Sequence, residues 1–301
     1  MDRSFSIITT CKGRLDHLKR SLPQMVGQSA SEVIVVDYSC PEGTADYAEE
    51  HFPSVRVVRV EGESGFSNWR ARNRGAEVAS SNVLVFCDAD TILAEGAVDV
   101  INATLPPRRY GFFSRKATLR FNKSRIRIGD NQLRGFHIIP AQAFRALGGY
   151  DEVLEGYAAG GDTDLEDRLV LRGIRPFQLG EGIIDDVIEH EHETRFTYHR
   201  DPISISYAAG ILYRRAKLTL LRTVKQPNLD LKTRLNLYAA ARKAASGIAA
   251  GKNVAAMNVT LENQPVGMPR QLGYSRGTQS VSLTVRIALD GKLEKPPTKV
   301  R

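Results

Sequence analysis

The chain has 301 residues, 42 % hydrophobic and 25 % charged, with 42 Lys+Arg against 34 Asp+Glu. That length accommodates one large domain, or a domain with an extension, and buries a core without covalent staples; the composition excludes a disordered chain. The net charge of +8 invites an anionic partner, yet residues 1–200 carry 25 basic and 29 acidic side chains whereas residues 201–301 carry 17 and 5. The basicity belongs to the C-terminal third alone, so nucleic acid is not the default partner.

The apolar stretch near the N-terminus is too short for a secretory signal, and no run of about 18 apolar residues suggests a membrane span. Cys11, Cys40 and Cys87 make no metal spacing and cannot all pair. The expected setting is a reducing cytoplasm.

Strand-like runs rich in Val and Ile fall at Phe5–Thr10, Glu32–Asp37, Val55–Val60 and Asn82–Cys87. Helix-like segments alternate with them at Leu15–Met25, Thr44–His51, Ser67–Ala79 and Ala94–Thr104. This alternation predicts an α/β fold with a parallel sheet covered on both faces. Right-handed crossovers place the strand C-termini on one edge, where open α/β sheets bind ligands. The edge should carry Thr9–Arg14, Asp37–Cys40, Glu61–Phe66 and Cys87–Asp90. Further on, an extended stretch runs from Arg108 to Ile139, with a helix at Ala141–Ala146. A glycine-rich loop at residues 151–163 leads into a helix at Asp164–Leu171, with strands at Arg175–Leu179 and Ile183–His190. From Pro202 two basic amphipathic helices are expected, Ser204–Leu221 and Leu229–Ile248. A strand follows, in which Leu283, Val285, Ile287 and Leu289 alternate. The division is a catalytic domain over 1–200 and a basic extension over 201–301.

Three constellations carry chemistry. Asp88-Ala89-Asp90 ends an apolar strand, and two carboxylates two residues apart suit a hard divalent cation that also bridges substrate phosphates. Gly160-Gly161-Asp162-Thr163-Asp164 places acids at a helix N-terminus. Helix capping accounts for Asp164 and Glu166, whereas Asp162 is expected in the loop before the helix, where a carboxylate can serve as general base. In Glu189-His190-Glu191-His192-Glu193, an extended backbone puts both imidazoles on one face, within reach of a metal site. Dinucleotide and P-loop glycine patterns are missing.

In order, the segments IITTCKGR, VIVVDYS, FSNWRARNRGA, FCDAD, GGYDE and GGDTDLEDR resemble the family 2 glycosyltransferases, and also the β-1,4-galactosyltransferase catalytic domain. The resemblance covers about residues 4–195. It implies a GT-A nucleotide-diphospho-sugar transferase fold, with a mostly parallel central sheet flanked by helices. It also implies a nucleotide-sugar donor, usually a UDP-sugar, and Mn²⁺ or Mg²⁺. By the same resemblance Thr9, Arg14 and Asp37 hold base and ribose, Phe66 and Arg70 contact the nucleotide, and Asp88 and Asp90 form the D-x-D. Asp90 is the direct metal ligand, joined by His190 or, failing that, His192. Asp162 is the inverting base. The chain departs from the family pattern at Tyr38, where many members have a second Asp, and at Gly161, where many have Glu. The expected activity is sugar transfer to a hydroxyl of a glycan or lipid-linked acceptor in polysaccharide biosynthesis. The alternative is a non-catalytic subunit of the same fold. The basic C-terminal region, and above all 207–218, suggests peripheral contact with the inner face of a membrane, through its positive charge.

Overall fold

The computed structural model describes residues 3–114, 132–156, 160–180, 182–189, 197–199, 202–267 and 276–288. The chain forms two units. One comprises Met1–Glu152 with Leu169–Tyr198, the other Val153–Arg168 with His199–Arg301. The segment carrying Asp162 therefore groups with the C-terminal helices, although the sequence suggests a simple division after residue 200.

In the first unit, short Val- and Ile-rich runs form β1 (Phe5–Cys11), β2 (Glu32–Tyr38), β3 (Arg56–Val60) and β4 (Val83–Cys87), and β5 (Thr91–Leu93) follows. The helices between them are α1 (Leu15–Val26), α2 (Thr44–His51) and α3 (Asn68–Val78), with α4 (Ala97–Thr104) after β5. Next come β6 (Arg109–Ser114), β7 (Gln132–Pro140) and α5 (Ala141–Ala146); after α6 (Gly161–Leu171) the chain returns as β8 (Arg175–Leu179) and β9 (Ile184–Val187). The main sheet has the order β3-β2-β1-β4-β7-β6-β8. β1, β2, β3 and β4 are mutually parallel, whereas β7 runs antiparallel to both its neighbours. The sheet is thus mostly parallel rather than wholly so. β5 and β9 pair separately, with Thr91 opposite Val187.

β1 and β4 are buried at every position, as central strands covered on two faces must be. One face of the sheet, with Ile7, Val35 and Val85, joins Leu18, Leu22 and Met25 of α1 and Ile101 of α4 in one apolar core. On the opposite face Phe86 meets Phe144 at 5.2 Å and Tyr150 at 5.3 Å between ring centroids. α3 covers this face so closely that a Cβ on Gly75 would run into the Ile8 and Val36 side chains.

Boundaries differ from the sequence reading where caps intervene. Ser67 lies outside α3 as its N-cap, accepting a hydrogen bond from the Arg70 N–H at 3.3 Å. α4 begins at Ala97 because Thr91–Leu93 are extended and Gly96 takes a left-handed φ of 69°. α6 begins at Gly161, so Asp162 occupies its first turn rather than the preceding loop.

The second unit contains α7 (Ile203–Val224), α8 (Leu231–Ala249) and a long antiparallel hairpin, β10 (Val254–Gly267) with β11 (Arg276–Ala288). Asp230 caps α8 through the Thr233 N–H at 2.9 Å. In β11, Leu283, Val285 and Ile287 are half-buried and alternate with exposed residues, as the pattern predicts; Leu289 lies outside the described residues. β10 was not legible, because Ala255 and Met257 on its buried side are weak strand formers. Among the described residues no helix is long and apolar enough to cross a membrane.

Replacing Gly75 by Ala removes a helix-weakening glycine, a gain of about 1 kcal/mol, but forces α3 off the sheet. Overpacking of this kind costs about 1–3 kcal/mol, so urea unfolding should show Gly75→Ala to be no more stable than the parent. A clear rise in midpoint would contradict the close packing of α3.

Candidate active site

The four parallel strands end on one edge, and their following loops are tied together by Lys12. Its ammonium donates to the carbonyls of Tyr38 at 3.0 Å, Ser39 at 2.9 Å and Glu63 at 2.6 Å. One side chain thereby joins the loops after β1, β2 and β3. An ammonium has three N–H donors, and these carbonyls match that number. Burial lowers the Lys12 pKa. Ser39, in a left-handed conformation with φ 50°, adds a hydroxyl bond to the Val60 carbonyl at 2.7 Å and accepts the Glu63 N–H at 3.0 Å. The loop after β1 also lies under Tyr198, whose ring occupies the space that a Cβ on Gly13 would need.

The sequence-selected residues of this edge take distinct positions. Thr9 is fully buried in β1, and its hydroxyl has no hydrogen-bond partner among the described residues. Arg14 precedes α1 as its N-cap residue. Both Asp37 carboxylate oxygens accept backbone N–H groups, from Cys40 at 2.7 Å and Ala45 at 2.8 Å. Asp37 therefore shapes the loop into α2. Phe66 donates its N–H to the Tyr198 carbonyl at 3.0 Å and meets the Tyr38 ring edge-on at 5.7 Å. Arg70, one-third exposed, pairs with Glu63 at 3.2 Å and lies 3.6 Å from Glu152. Tyr38 is wholly buried.

Each residue of the D-x-D is held by a different element. The buried Arg72 guanidinium donates to Asp88 Oδ1 at 2.7 Å, to the Gly135 carbonyl at 3.0 Å and to the Tyr150 hydroxyl at 3.0 Å. It also lies near the mutually contacting Phe86 and Tyr150 rings, 5.8 and 5.5 Å from their centroids. The Asp88 carboxylate packs over Gly135, where a Cβ would collide with it. Ser21 of α1 donates its hydroxyl to the Ala89 carbonyl at 2.7 Å. The Asp90 carbonyl accepts the Ile188 N–H at 2.7 Å, which brings the segment after β9 beside the D-x-D. His190 and His192 lie outside the described residues. Among the described residues no three His, Cys, Asp or Glu side chains converge on a metal position. The oxygen donors of Asp88 and Asp90 do fit a hard divalent ion whose remaining ligands are substrate phosphates and further side chains.

In the second unit, Asp162 is 7 % exposed in the first turn of α6, where the helix dipole favours an anion. Asp164 plays another part. It pairs with Arg168 at 2.7 Å and with Lys217 at 2.9 Å, and all three side chains are buried. Capping, expected for Asp164 from sequence, is replaced by a buried ion-pair cluster joining α6 to α7. Gly160 has a left-handed φ of 83°, which a glycine supplies without strain.

Sequence reasoning missed Lys12, Ser21, Arg72 and Gly135. For Arg72 a signal existed: it shares a helical face with the buried Ala76, one turn on, and a buried guanidinium requires a carboxylate.

The loops also hold two thiols in hydrogen-bond contact. Cys11 is buried and accepts the Thr44 hydroxyl at 3.2 Å, while the partly exposed Cys40 accepts the Gly13 N–H at 3.2 Å. The hydrogen bond from Cys11 is the main influence bringing the Cys40 pKa down to about 5, against the opposing effect of burial. The same bond, followed by burial, raises that of Cys11. Cys40 is thus a thiolate above about pH 6 and becomes a thiol as pH falls through 5. Its alkylation by iodoacetamide should be flat from pH 6 to 8 and drop about tenfold per unit below pH 5, as thiolate chemistry requires. Peptide mass spectrometry that shows reactivity still climbing between pH 7 and 9 would contradict this arrangement.

No curated protein matches the chain. Among solved structures, the mannosyltransferase PcManGT from Pyrobaculum calidifontis, in complex with GDP-Man and Mn²⁺, is similar at 16 % identity. That match covers 84 % of this chain and 77 % of that one, with a TM-score of 0.50. GalNAc-T7 with UDP, GalNAc and Mn²⁺ is similar at 14 % identity, over 79 % of this chain and 54 % of that one, with a TM-score of 0.54. S. aureus TarS 1–349 in complex with UDP-GlcNAc is similar at 14 % identity, over 79 % and 72 %, with a TM-score of 0.53. At these identities the likeness is one of fold. In sequence, residues 6–105 match the family described as "Glycosyl transferase family 2". This segment, about a third of the chain, runs from β1 through the D-x-D to the end of α4 and is similar to family 2 glycosyltransferases; the fold is that of the GT-A glycosyltransferase structures.

Proposed function

We propose that the chain transfers a sugar from a nucleotide diphospho-sugar, with UDP-sugars as first choice, to a hydroxyl of a glycan or lipid-linked acceptor, inverting the anomeric centre. The observation that carries this reading is the D-x-D at the end of β4, locked by Arg72 beside loops that Lys12 ties together. It lies within the segment that matches the family. The metal- and nucleotide-bound states named for PcManGT, GalNAc-T7 and TarS support a donor of this class.

In this reading the loops after β1 and β2, with Thr9, Arg14 and Asp37, form the base and ribose end of the site. Asp37 contributes by shaping its loop. Phe66 and Arg70 flank the nucleotide from the start of α3. Asp88 and Asp90 face the diphosphate, and Asp90, with His190 or His192, would hold Mn²⁺ or Mg²⁺. A divalent ion there offsets the negative charge that develops on the leaving diphosphate. Asp162 accepts the proton of the acceptor hydroxyl. General-base help of this kind contributes about 10²–10⁴ in rate, and attack from the face opposite the diphosphate gives inversion. A cytoplasmic setting agrees with three free thiols among the described residues.

A panel of UDP-, GDP- and dTDP-sugars, with and without Mn²⁺, should reveal one nucleotide whose sugar is transferred or slowly hydrolysed. Asp162→Asn should keep donor binding in calorimetry while turnover falls about 10²–10⁴-fold. Asp90→Ala should abolish the Mn²⁺-dependent part of nucleotide binding. Binding without turnover of any donor by the parent chain would favour the non-catalytic alternative. Full turnover in Asp162→Asn would remove that residue from the mechanism.

A further inference from the structure

The apolar stripe of α8 that packs within the second unit includes Leu237, Tyr238, Ala241 and Ala245, all buried. Toward the N-terminus of the helix this stripe does not end. Leu231 and Leu235, one turn apart, continue its edge but are 57 % and 51 % exposed. Two large exposed leucines on adjacent turns are an apolar surface that water disfavours.

Their surroundings are cationic. α7 and α8 pack together and are joined by only six residues, 225–230, so the last turn of α7 and the first turns of α8 share one end of the helical hairpin. That end carries Arg222, Lys225 and Lys232, all exposed. The acid between them, Asp230, is engaged as the α8 N-cap by the Thr233 N–H and hydroxyl, at 2.9 and 2.6 Å. Lys225, in a left-handed conformation with φ 55°, forms the turn itself.

We propose that this α7–α8 corner docks on an anionic lipid surface, with Leu231 and Leu235 entering the headgroup boundary and Arg222, Lys225 and Lys232 meeting lipid phosphates. The pairing of apolar anchors with a basic rim is what interfacial binding requires, since neither element alone gives firm attachment. The charge complementarity is local: the corner reads RTVKQPNLDLK from 222 to 232, with one acid against three basic residues. The site differs from the 207–218 stretch that the sequence suggests. There Leu212, Tyr213, Ala216 and Lys217 are buried within the protein, so that helix face is already used. The inference does not depend on the sugar-transfer reading, because its test involves no nucleotide.

The full chain should co-sediment with phosphatidylglycerol-containing vesicles and not with pure phosphatidylcholine vesicles, and its binding should weaken as salt rises. Leu231→Ser/Leu235→Ser should reduce partitioning at least tenfold at fixed salt. Neutralising Arg222, Lys225 and Lys232 to Gln should reduce it about 100-fold, at about 1 kcal/mol per basic residue near the surface. Unchanged thermal unfolding would show that both variants remain folded, since all five side chains are exposed. Equal binding to neutral and anionic vesicles, or no binding to either, overturns the proposal. So does undiminished binding by both variants, which would place the contact elsewhere. Saturable binding of an acidic protein by the corner, with no vesicle binding, would assign the surface to a protein partner instead.

Discussion

A guanidinium cannot shed its proton at any ordinary pH, so a buried arginine obliges the fold to supply an anion. Arg72, 1 % exposed, obtains it from Asp88. Asp88 is itself one-third exposed, so the cation is buried while its carboxylate reaches solvent, and removing that carboxylate would leave a buried charge without its anion. Around that pair the other constraints gather. Gly135 leaves room for the carboxylate, the Tyr150 and Phe86 rings lie near the cation, and Ser21 fixes the next carbonyl. The first residue of the D-x-D is thereby held in place by a buried cation. Its two aspartates consequently do different work. Both are half-buried, but the Asp88 carboxylate is tied to the Arg72 cation, whereas at Asp90 it is the backbone carbonyl that is tied, to the Ile188 N–H after β9.

Lys12 extends the same logic to the neighbouring loops. Loops after parallel strands carry backbone carbonyls that no strand partner satisfies, and a buried ammonium must be satisfied too. Three carbonyls and three N–H groups resolve both needs at once and hold the edge in one conformation before any ligand arrives. Preorganisation of this kind lowers the ordering cost of binding. In the second unit the buried Asp164–Arg168–Lys217 cluster similarly fixes the start of α6, on which Asp162 stands.

The apolar periods revealed β1 to β4 and the helices between them almost to their ends, though not the short β5, because strands such as Val83–Cys87 are buried on both faces and read as unbroken apolar runs. The D-x-D and the acidic turn were visible as spacings. What held them was less visible, since Arg72 lies 16 residues from Asp88 and Lys217 lies 53 from Asp164, and even Arg168, one turn from Asp164, looks like a surface residue until its burial is known. Gly160-Gly161 signals a turn that would leave Asp162 in a loop, yet only Gly160 takes a left-handed φ and the helix starts at Gly161. The overall charge of +8 was a poor guide. Its meaning lay in where the basic residues sit beside exposed leucines, which composition does not show.

Under the proposed function, the edge after β1 and β4 holds a nucleoside diphosphate and its metal. Crystals of the chain soaked with UDP and Mn²⁺, measured at the manganese absorption edge, test it most directly. The expected result is an anomalous peak at ligand distance, about 2.0–2.3 Å, from the Asp90 carboxylate, with diphosphate density beside Asp88 and the base toward the loop after β2. A manganese peak bound away from Asp88 and Asp90, or nucleotide density at any other edge of the sheet, would contradict it.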